Sequence, residues 1–166
     1  MNKKILLSVA AFCTMGLSAG AWAADAATAD EVITKVKAAA TDVKGGGEVV
    51  LSEYDKKDGK WAWKDTYVFV IDCASGAVKA HPSPQVKGMK LTDLKDKATG
   101  KEFGTALCAA GKKPHGGWVE YMWTKPGAEG NHRKIVYVMS AGTLEVAAGV
   151  YDDKLTVSEL EAKTAK

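Results

Sequence analysis

The sequence predicts an α+β fold, in which a central antiparallel sheet of about five strands carries a long N-terminal helix on one face and a loop-rich layer on the other. Three observations predict this fold. Apolar residues recur at helical spacing between residues 30 and 43, residues 67–80 have the pattern of a β-hairpin, and three β-rich segments follow one another between residues 117 and 151. Strands joined by short turns pair antiparallel, so we expect these segments to share one sheet.

The first 23 residues have the pattern of a signal peptide. Lys3 and Lys4 form the charged start, residues 5–17 form the apolar middle, and residues 21–23 form a small-x-small cleavage site, which predicts cleavage after Ala23. The apolar run is short and is interrupted by Ser, Thr and Gly, so it does not suit a membrane span. We therefore predict a periplasmic or secreted product without membrane insertion, and a single domain over residues 24–166.

The charge balance argues against two classes of partner. The predicted signal peptide takes two of the 23 basic residues and none of the 20 acidic ones, which leaves a mature chain of nearly zero net charge. A protein that binds nucleic acid or an anionic membrane surface through electrostatics usually carries a basic patch. Neither partner is expected here.

The first predicted element is a helix that begins at Asp30 as its cap and ends at the glycines of residues 45–47. Its apolar face consists of Val32, Ile33, Val36, Ala40 and Val43. Residues 48–54 fit either a second short helix or a strand, and the local pattern leaves both open.

The hairpin follows, with an extended segment at residues 61–71, a turn at residues 72–76 and a second strand that ends at Ala80. Pro82 stops the strand ladder, so His81 stands at a strand end. Residues 82–100 are polar and lack periodicity, and a connection this long inside a small domain usually has a function or covers something.

The last part of the chain alternates short elements. A short helix is predicted at residues 102–110, and strands are predicted at residues 117–124, 134–140 and 143–151. The turn Ala141-Gly142 joins the last two strands tightly. Thr156 or Ser158 caps a final helix.

Cys73 and Cys108 are the cysteines left after export. In an oxidising compartment an even pair favours a disulfide, and the alternative is two unrelated small buried residues. There is no CxxC or CxxCH sequence, so neither thiol redox chemistry nor haem attachment is expected.

Strand alternation sorts the aromatic residues of the sequence WVEYMW onto two faces. Tyr121 and Trp123 share one face, while Trp118 lies on the other; Lys134 and Tyr137 likewise oppose each other unless a bulge intervenes. A lysine among aromatic rings suits a small carboxylate, because the rings exclude water and strengthen the attraction. The alternative is that the aromatics pack the core and that Lys134 is a solvated strand-end residue.

His81 is the best histidine candidate for a ligand contact, although an ordinary surface role is an even alternative. His115 and His132 lie in loops, and the histidine spacing does not match a zinc site. No nucleophile elbow or phosphate-binding loop is present. We therefore expect no catalytic residue, no metal and no cofactor.

Six sequence blocks carry a resemblance to a known family: YVFVIDCASGAVKAHP, GMKLTDLKD, GKEFGTALCAAGKK, GGWVEYMW, KIVYVMS and AAGVYDD. Over roughly residues 28–160 the chain resembles the single Cache domain of the second type. That resemblance implies a PAS-like fold, with a small ligand bound on the concave side of the sheet. Such domains form the extracytoplasmic sensing part of bacterial chemoreceptors and histidine kinases, and they typically bind small organic acids.

The resemblance implies a ligand site between the sheet and residues 82–113. The candidate ligand-binding residues in the matching blocks are His81, Trp118, Tyr121, Trp123, Lys134 and Tyr137. The chain departs from the family in two respects: Cys73 stands where a turn with Asp-Pro-Asp-Gly is more common, and no second membrane helix follows the domain. A disulfide that ties the hairpin to the pocket cover is therefore expected, and direct transmembrane signalling is not.

Three functional readings follow. The first is a non-catalytic sensor module that binds a short-chain acid and presents it to a membrane sensor, chemoreceptor or transporter. The second is an interaction protein with a vestigial pocket, whose N-terminal helix pairs with a second copy in a homodimer or with a receptor. The third is an accessory subunit or small enzyme of an exported redox system, which absorbance above the aromatic band would reveal.

Overall fold

A computed structural model describes residues 25–165, so the predicted signal peptide and its cleavage site lie outside the described part. The helices are α1 (Ala29–Gly46), α2 (Gly104–Gly111) and α3 (Val157–Thr164), with short 3₁₀ helices at Gly47–Asp55 and Leu91–Asp93. The strands are β1 (Ala62–Trp63), β2 (Thr66–Asp72), β3 (Ala77–Ala80), β4 (Gly117–Thr124), β5 (Asn131–Ala141) and β6 (Leu144–Val150).

All strand pairs of the sheet are antiparallel, and the strand order is β1-β2-β6-β5-β4, with β3 also pairing with β2. The predicted α+β class and antiparallel sheet are confirmed. The predicted extended segment at residues 61–71 is divided into β1 and β2 by a turn at Lys64 and Asp65, where Lys64 has a φ of 49°, and the sequence patterns missed this turn. β5 is longer than predicted, since its polar start at residues 131–133 pairs fully with the end of β4.

Helix α1 begins two residues earlier than predicted. Thr28 is the N-cap and forms a capping box with Glu31, so the prediction of Asp30 as the cap is wrong. Asp30 lies in the first turn, where the negative charge of its carboxylate interacts favourably with the helix dipole. The glycines end the helix as predicted, with Gly47 at a φ of 57°. The undecided segment after it is a 3₁₀ helix whose Tyr54 ring stacks on Trp61.

The sheet separates two hydrophobic clusters. On one face α1 packs through Val32, Val36, Ala39, Ala40 and Val43 against alternate residues of the strands, such as Val70, Ile135 and Val146. On the other face the opposite set of strand residues meets residues 82–113, which we call the loop layer. Its buried apolar residues are Leu91, Leu94, Phe103, Leu107 and Ala110. The predicted loop-rich cover is therefore confirmed, and it has a core of its own.

A disulfide joins Cys73 to Cys108, whose Cα atoms lie 5.7 Å apart. Cys73 lies in the β2–β3 turn, where Asp72 Oδ1 accepts hydrogen bonds from the amides of Ala74 and Ser75, and Cys108 lies in α2. The expected bond is confirmed, and it ties the hairpin to the loop layer.

Among the described residues, no helix is both long enough and apolar enough to cross a bilayer.

Reduction of this disulfide is expected to lower the free energy of unfolding by about 4 kcal/mol, because the cross-link restricts the unfolded chain over a sequence separation of 35. Urea unfolding with and without a thiol reductant measures the difference. The matched control is the Cys73→Ser, Cys108→Ser double variant, which should unfold like the reduced protein and ignore the reductant. An identical midpoint for oxidised and reduced wild type would contradict the expectation.

Candidate functional site

Lys134 is buried on the sheet face that meets the loop layer. It lies on β5, where alternation places Val136 and Val138 on the same face, and only 1% of its surface is exposed. Gly149 on the neighbouring β6 makes room for its stem, because a Cβ there would lie 2.9 Å from Lys134 Cε. The alternative of a solvated strand-end lysine is therefore wrong, because the sheet and the loop layer enclose Lys134 from both sides.

Three aromatic rings surround the Lys134 ammonium. Nζ lies 4.2 Å from the ring centre of Tyr67, 5.7 Å from Phe69 and 5.2 Å from Tyr151. We call these three rings the aromatic cage. Nζ forms no hydrogen bond or ion pair with another residue within 25–165, so the cage faces are its main electrostatic partners.

Burial lowers the pKa of Lys134 to about 7, and the charge of Asp65 opposes this shift. Asp65 is not available as a direct counter-ion. Its Oδ1 accepts a hydrogen bond of 2.8 Å from the Ala27 amide, and its Oδ2 lies 3.0 Å from Lys125 Nζ. Lys134 is therefore a buried amine whose acidic neighbour is already engaged elsewhere.

His81 stands at the end of β3 and is buried beside the cage. Its backbone amide donates to Asp55 Oδ1, and its Nδ1 accepts a 2.8 Å hydrogen bond from the Ser83 amide. Acceptance at Nδ1 places the ring proton on Nε2, which leaves one N–H donor. Burial, followed by the charge of Lys134, lowers the pKa of His81 to about 3, so the ring is neutral at neutral pH.

Tyr121 and Trp123 complete the wall on β4. The Tyr121 ring stacks on Phe103 of the loop layer at 3.6 Å between ring centres, and Trp123 meets both rings edge-on. Burial holds the pKa of Tyr121 well above its usual value, so its hydroxyl stays protonated. The loop layer is fastened to this strand by Asp96, whose Oδ2 accepts a 2.6 Å hydrogen bond from the Met122 amide.

Two neighbouring spaces lie between these residues. The inner cavity is about 10 Å³ and is bounded by Tyr67, His81, Phe103, Tyr121, Trp123 and Lys134, together with apolar side chains. That volume holds about one water molecule. The outer groove is about 540 Å³, opens towards solvent and shares Tyr67, His81, Val86 and Trp123 with the inner cavity.

The structure brings together four of the six candidate residues. His81, Tyr121, Trp123 and Lys134 line the inner cavity. Trp118 and Tyr137 lie on the opposite face, where their rings are 5.0 Å apart in the α1-side cluster. Trp118 Nε1 donates to Thr164 of α3, and the Tyr137 hydroxyl donates to the His115 carbonyl. Because alternate strand residues point to opposite faces, these two do not contact the cavity.

The sequence reasoning missed the cage itself. Tyr67 and Phe69 are two residues apart on β2, and this spacing would have predicted that their rings lie on the same face of the sheet. Tyr151 directly follows β6, and Asp65 directly precedes β2. Nothing in their local sequence indicates that they lie near Lys134. Among residues 25–165 there is no group of three or more His, Cys, Asp or Glu side chains that could hold a metal ion.

Comparison with known proteins identifies this fold. Among solved structures, the chain is similar to a methyl-accepting chemotaxis protein from Vibrio parahaemolyticus RIMD 2210633, with 25% identity, coverage of 73% of this chain and 81% of that chain, and a TM-score of 0.54. A periplasmic sensor domain of a chemotaxis protein is 22% identical, covers 73% and 88% of the two chains, and has a TM-score of 0.54.

A third structure, described as the structural basis for carboxylic acid recognition by a Cache chemosensory domain, is 23% identical, covers 73% and 86%, and also has a TM-score of 0.54. No curated protein matches the chain. The sequence profile of the family Single Cache domain 2 matches residues 23–157. This match spans most of the chain and agrees with the fold, so the protein belongs to the single Cache domain 2 family, a class of sensor domains.

Proposed function

We propose that this protein is a periplasmic, non-catalytic binding module for a short-chain organic acid such as acetate, propionate, lactate or pyruvate. The observation that carries the proposal is the Lys134 amine, which is buried at a cavity without a bonded partner among the described residues. A buried cationic group is costly unless it is paired, and a small carboxylate would provide the missing partner. The carboxylic acid recognition described for one structural neighbour is consistent with this ligand class.

The residues around the inner cavity suit the two ends of such an acid. The Lys134 amine, the Nε2–H of His81 and the phenol groups of Tyr67 and Tyr121 supply hydrogen-bond donors for a carboxylate. The rings of Phe103 and Trp123 supply apolar surface for a short alkyl group. A pocket with a few polar groups among aromatic rings is typical of small-molecule sites.

Ligand entry requires movement of the cover, because the inner cavity holds only about one water molecule in this state. The outer groove leads to it past Val86 and Trp123, which border both spaces. Val86 and Phe103 belong to the loop layer, so an outward shift of that layer would join the two spaces. The inner cavity is therefore closed in this structure, and we expect the acid to bind a more open conformation.

Another protein would recognise the ligand-bound domain. We infer a membrane sensor, chemoreceptor or transporter as the partner, and the exposed face of α1 is the surface for a receptor or for a second copy in a homodimer. The loop layer changes position when the acid enters, which gives such a partner a difference to recognise.

Isothermal titration calorimetry of residues 24–166 against the four acids tests the proposal. At least one acid is expected to bind, and Tyr121→Phe is expected to weaken it by about 5- to 15-fold, as the loss of one hydrogen bond costs about 1–1.5 kcal/mol. Tyr137→Phe is the matched control: it removes the same hydroxyl on the opposite face and should leave the affinity unchanged. No heat with any of the four acids would contradict the proposal.

Lys134→Met should abolish acid binding and yet raise the free energy of unfolding by roughly 1–4 kcal/mol, because an apolar side chain of similar length removes the cost of burying an amine. Folding lowers the pKa of Lys134 from 10.5 to about 7, so wild-type stability rises with pH across that window. The advantage of the variant should therefore be largest at neutral pH and should shrink towards pH 10.5. Urea unfolding at several pH values measures it, with exposed Lys101→Met as the control that should change little.

His81 is expected to remain neutral in the folded protein well below the usual histidine range. Its folded pKa of about 3 lies below the ordinary histidine value of 6.5, so its contribution to stability is complete above pH 6.5 and is lost as the pH falls towards 3. The loss by pH 5 should be roughly 2 kcal/mol. His81→Asn does not titrate and retains an acceptor for the Ser83 amide, so it should lack this loss. Ring NMR signals of His81 that titrate near pH 6.5 would contradict the expectation.

A further inference from the structure

We propose that the site binds a carboxylate and a proton together, with the proton held on Lys134 Nζ. The net species taken up from solution is then equivalent to the undissociated acid. This inference rests on the proposed function and specifies the form in which the acid is taken up. It follows from the charges around the inner cavity.

The empty site favours a neutral amine at Lys134. Nζ is enclosed by the cage of Tyr67, Phe69 and Tyr151, and the inner cavity beside it has room for about one water molecule. Attraction to ring faces and one water molecule does not replace the hydration that an ammonium loses on burial. The pKa of about 7 agrees with this enclosure.

No element around Lys134 supplies a direct negative charge in the described structure. Before β2, Asp65 is held by the Ala27 amide and by Lys125. On β2 and after β6, Tyr67 and Tyr151 are protonated phenols, because burial raises the pKa of both. On β4, the Tyr121 phenol is protonated for the same reason.

The remaining neighbours add no counter-ion either. After β3, His81 is neutral, since its Nδ1 accepts from Ser83. In the loop layer, Asp96 accepts from the Met122 amide, and Lys97 lies over the ring of Trp123 with a positive charge. Asp55, which faces His81, pairs with Lys87. Every acid near the site therefore has a partner before a ligand arrives.

A carboxylate that enters the inner cavity changes this balance. It places a negative charge beside Nζ and raises the pKa of Lys134, because an adjacent opposite charge favours the ammonium form. The neutral amine then takes one proton from solvent, an N–H bond forms, and the carboxylate and ammonium pair. Charge and atoms balance: amine, proton and carboxylate become an ammonium carboxylate pair.

The number of protons taken up per ligand equals the fraction of protein molecules in which Lys134 is neutral before the ligand binds. With a pKa of about 7 in the empty site, uptake is close to one proton per ligand about two pH units above that value and falls towards zero about two units below it. The apparent affinity for the anion should accordingly fall about tenfold per pH unit above pH 7 and level off below it. Occupancy of the site would thus depend on both the concentration of the acid and the pH.

Calorimetry of residues 24–166 with the sodium salts of acetate, propionate, lactate and pyruvate tests this, in buffers of different ionisation enthalpy. Proton uptake appears as a linear dependence of the binding heat on the ionisation enthalpy of the buffer. The expected slope is about one proton per ligand at pH 9 and about zero at pH 5.5. Binding with a slope of zero at pH 9 would overturn this inference and leave the proposed function standing, whereas absence of binding would overturn both.

Three variants identify the proton acceptor. Tyr121→Phe should bind more weakly and keep the same slope, because Lys134 is untouched. His81→Asn should also keep the slope, and loss of the slope in this variant would move the proton to His81 and overturn the assignment. Lys134→Arg carries a permanent charge, so any acid that it binds should show a slope of zero at both pH values; a wild-type slope in this variant would overturn the assignment as well.

Discussion

The enclosure of the Lys134 amine by Tyr67, Phe69 and Tyr151 is the constraint on which the rest of the site depends. An amine deep in an aromatic environment lowers the stability of the empty domain, since desolvation of a cation is expensive. The fold does not remove this cost by placing a counter-ion beside the amine, because the carboxylate of Asp65 accepts a hydrogen bond from Ala27 and pairs with Lys125. The amine therefore has no bonded partner among residues 25–165, and the proposed carboxylate ligand would supply one.

The two faces of the sheet have different tasks. The α1 side is a packed core of small and branched side chains, and Trp118 and Tyr137 contribute their rings and hydrogen bonds to it. The opposite side combines apolar residues of the loop layer with the neutral ring of His81 and with Lys134. Because the loop layer is held by the Cys73–Cys108 disulfide and by Asp96, it can cover the cavity without forming regular strands.

The candidate site was partly predictable from strand alternation. The period of two correctly separates Tyr121 and Trp123 from Trp118, and Lys134 from Tyr137, whereas the family resemblance grouped all six candidate residues. Alternation alone does not say which face the helix covers. That choice depends on how the apolar stripe of α1 fits the sheet, and this packing placed Lys134 under the loop layer and Trp118 under the helices.

The amino-acid sequence by itself determined the order and type of most elements, the division of each strand into two faces, the cysteine pair and the family. These features depend on local spacing and on short-range conformational preference, which a sequence displays directly. Only the tertiary structure decided that Lys134 is buried, that Tyr151 and Gly149 shape its surroundings, and that Asp65 has other partners. Those relations join residues far apart in the chain, and burial and charge pairing are properties of the packed molecule that no local pattern encodes.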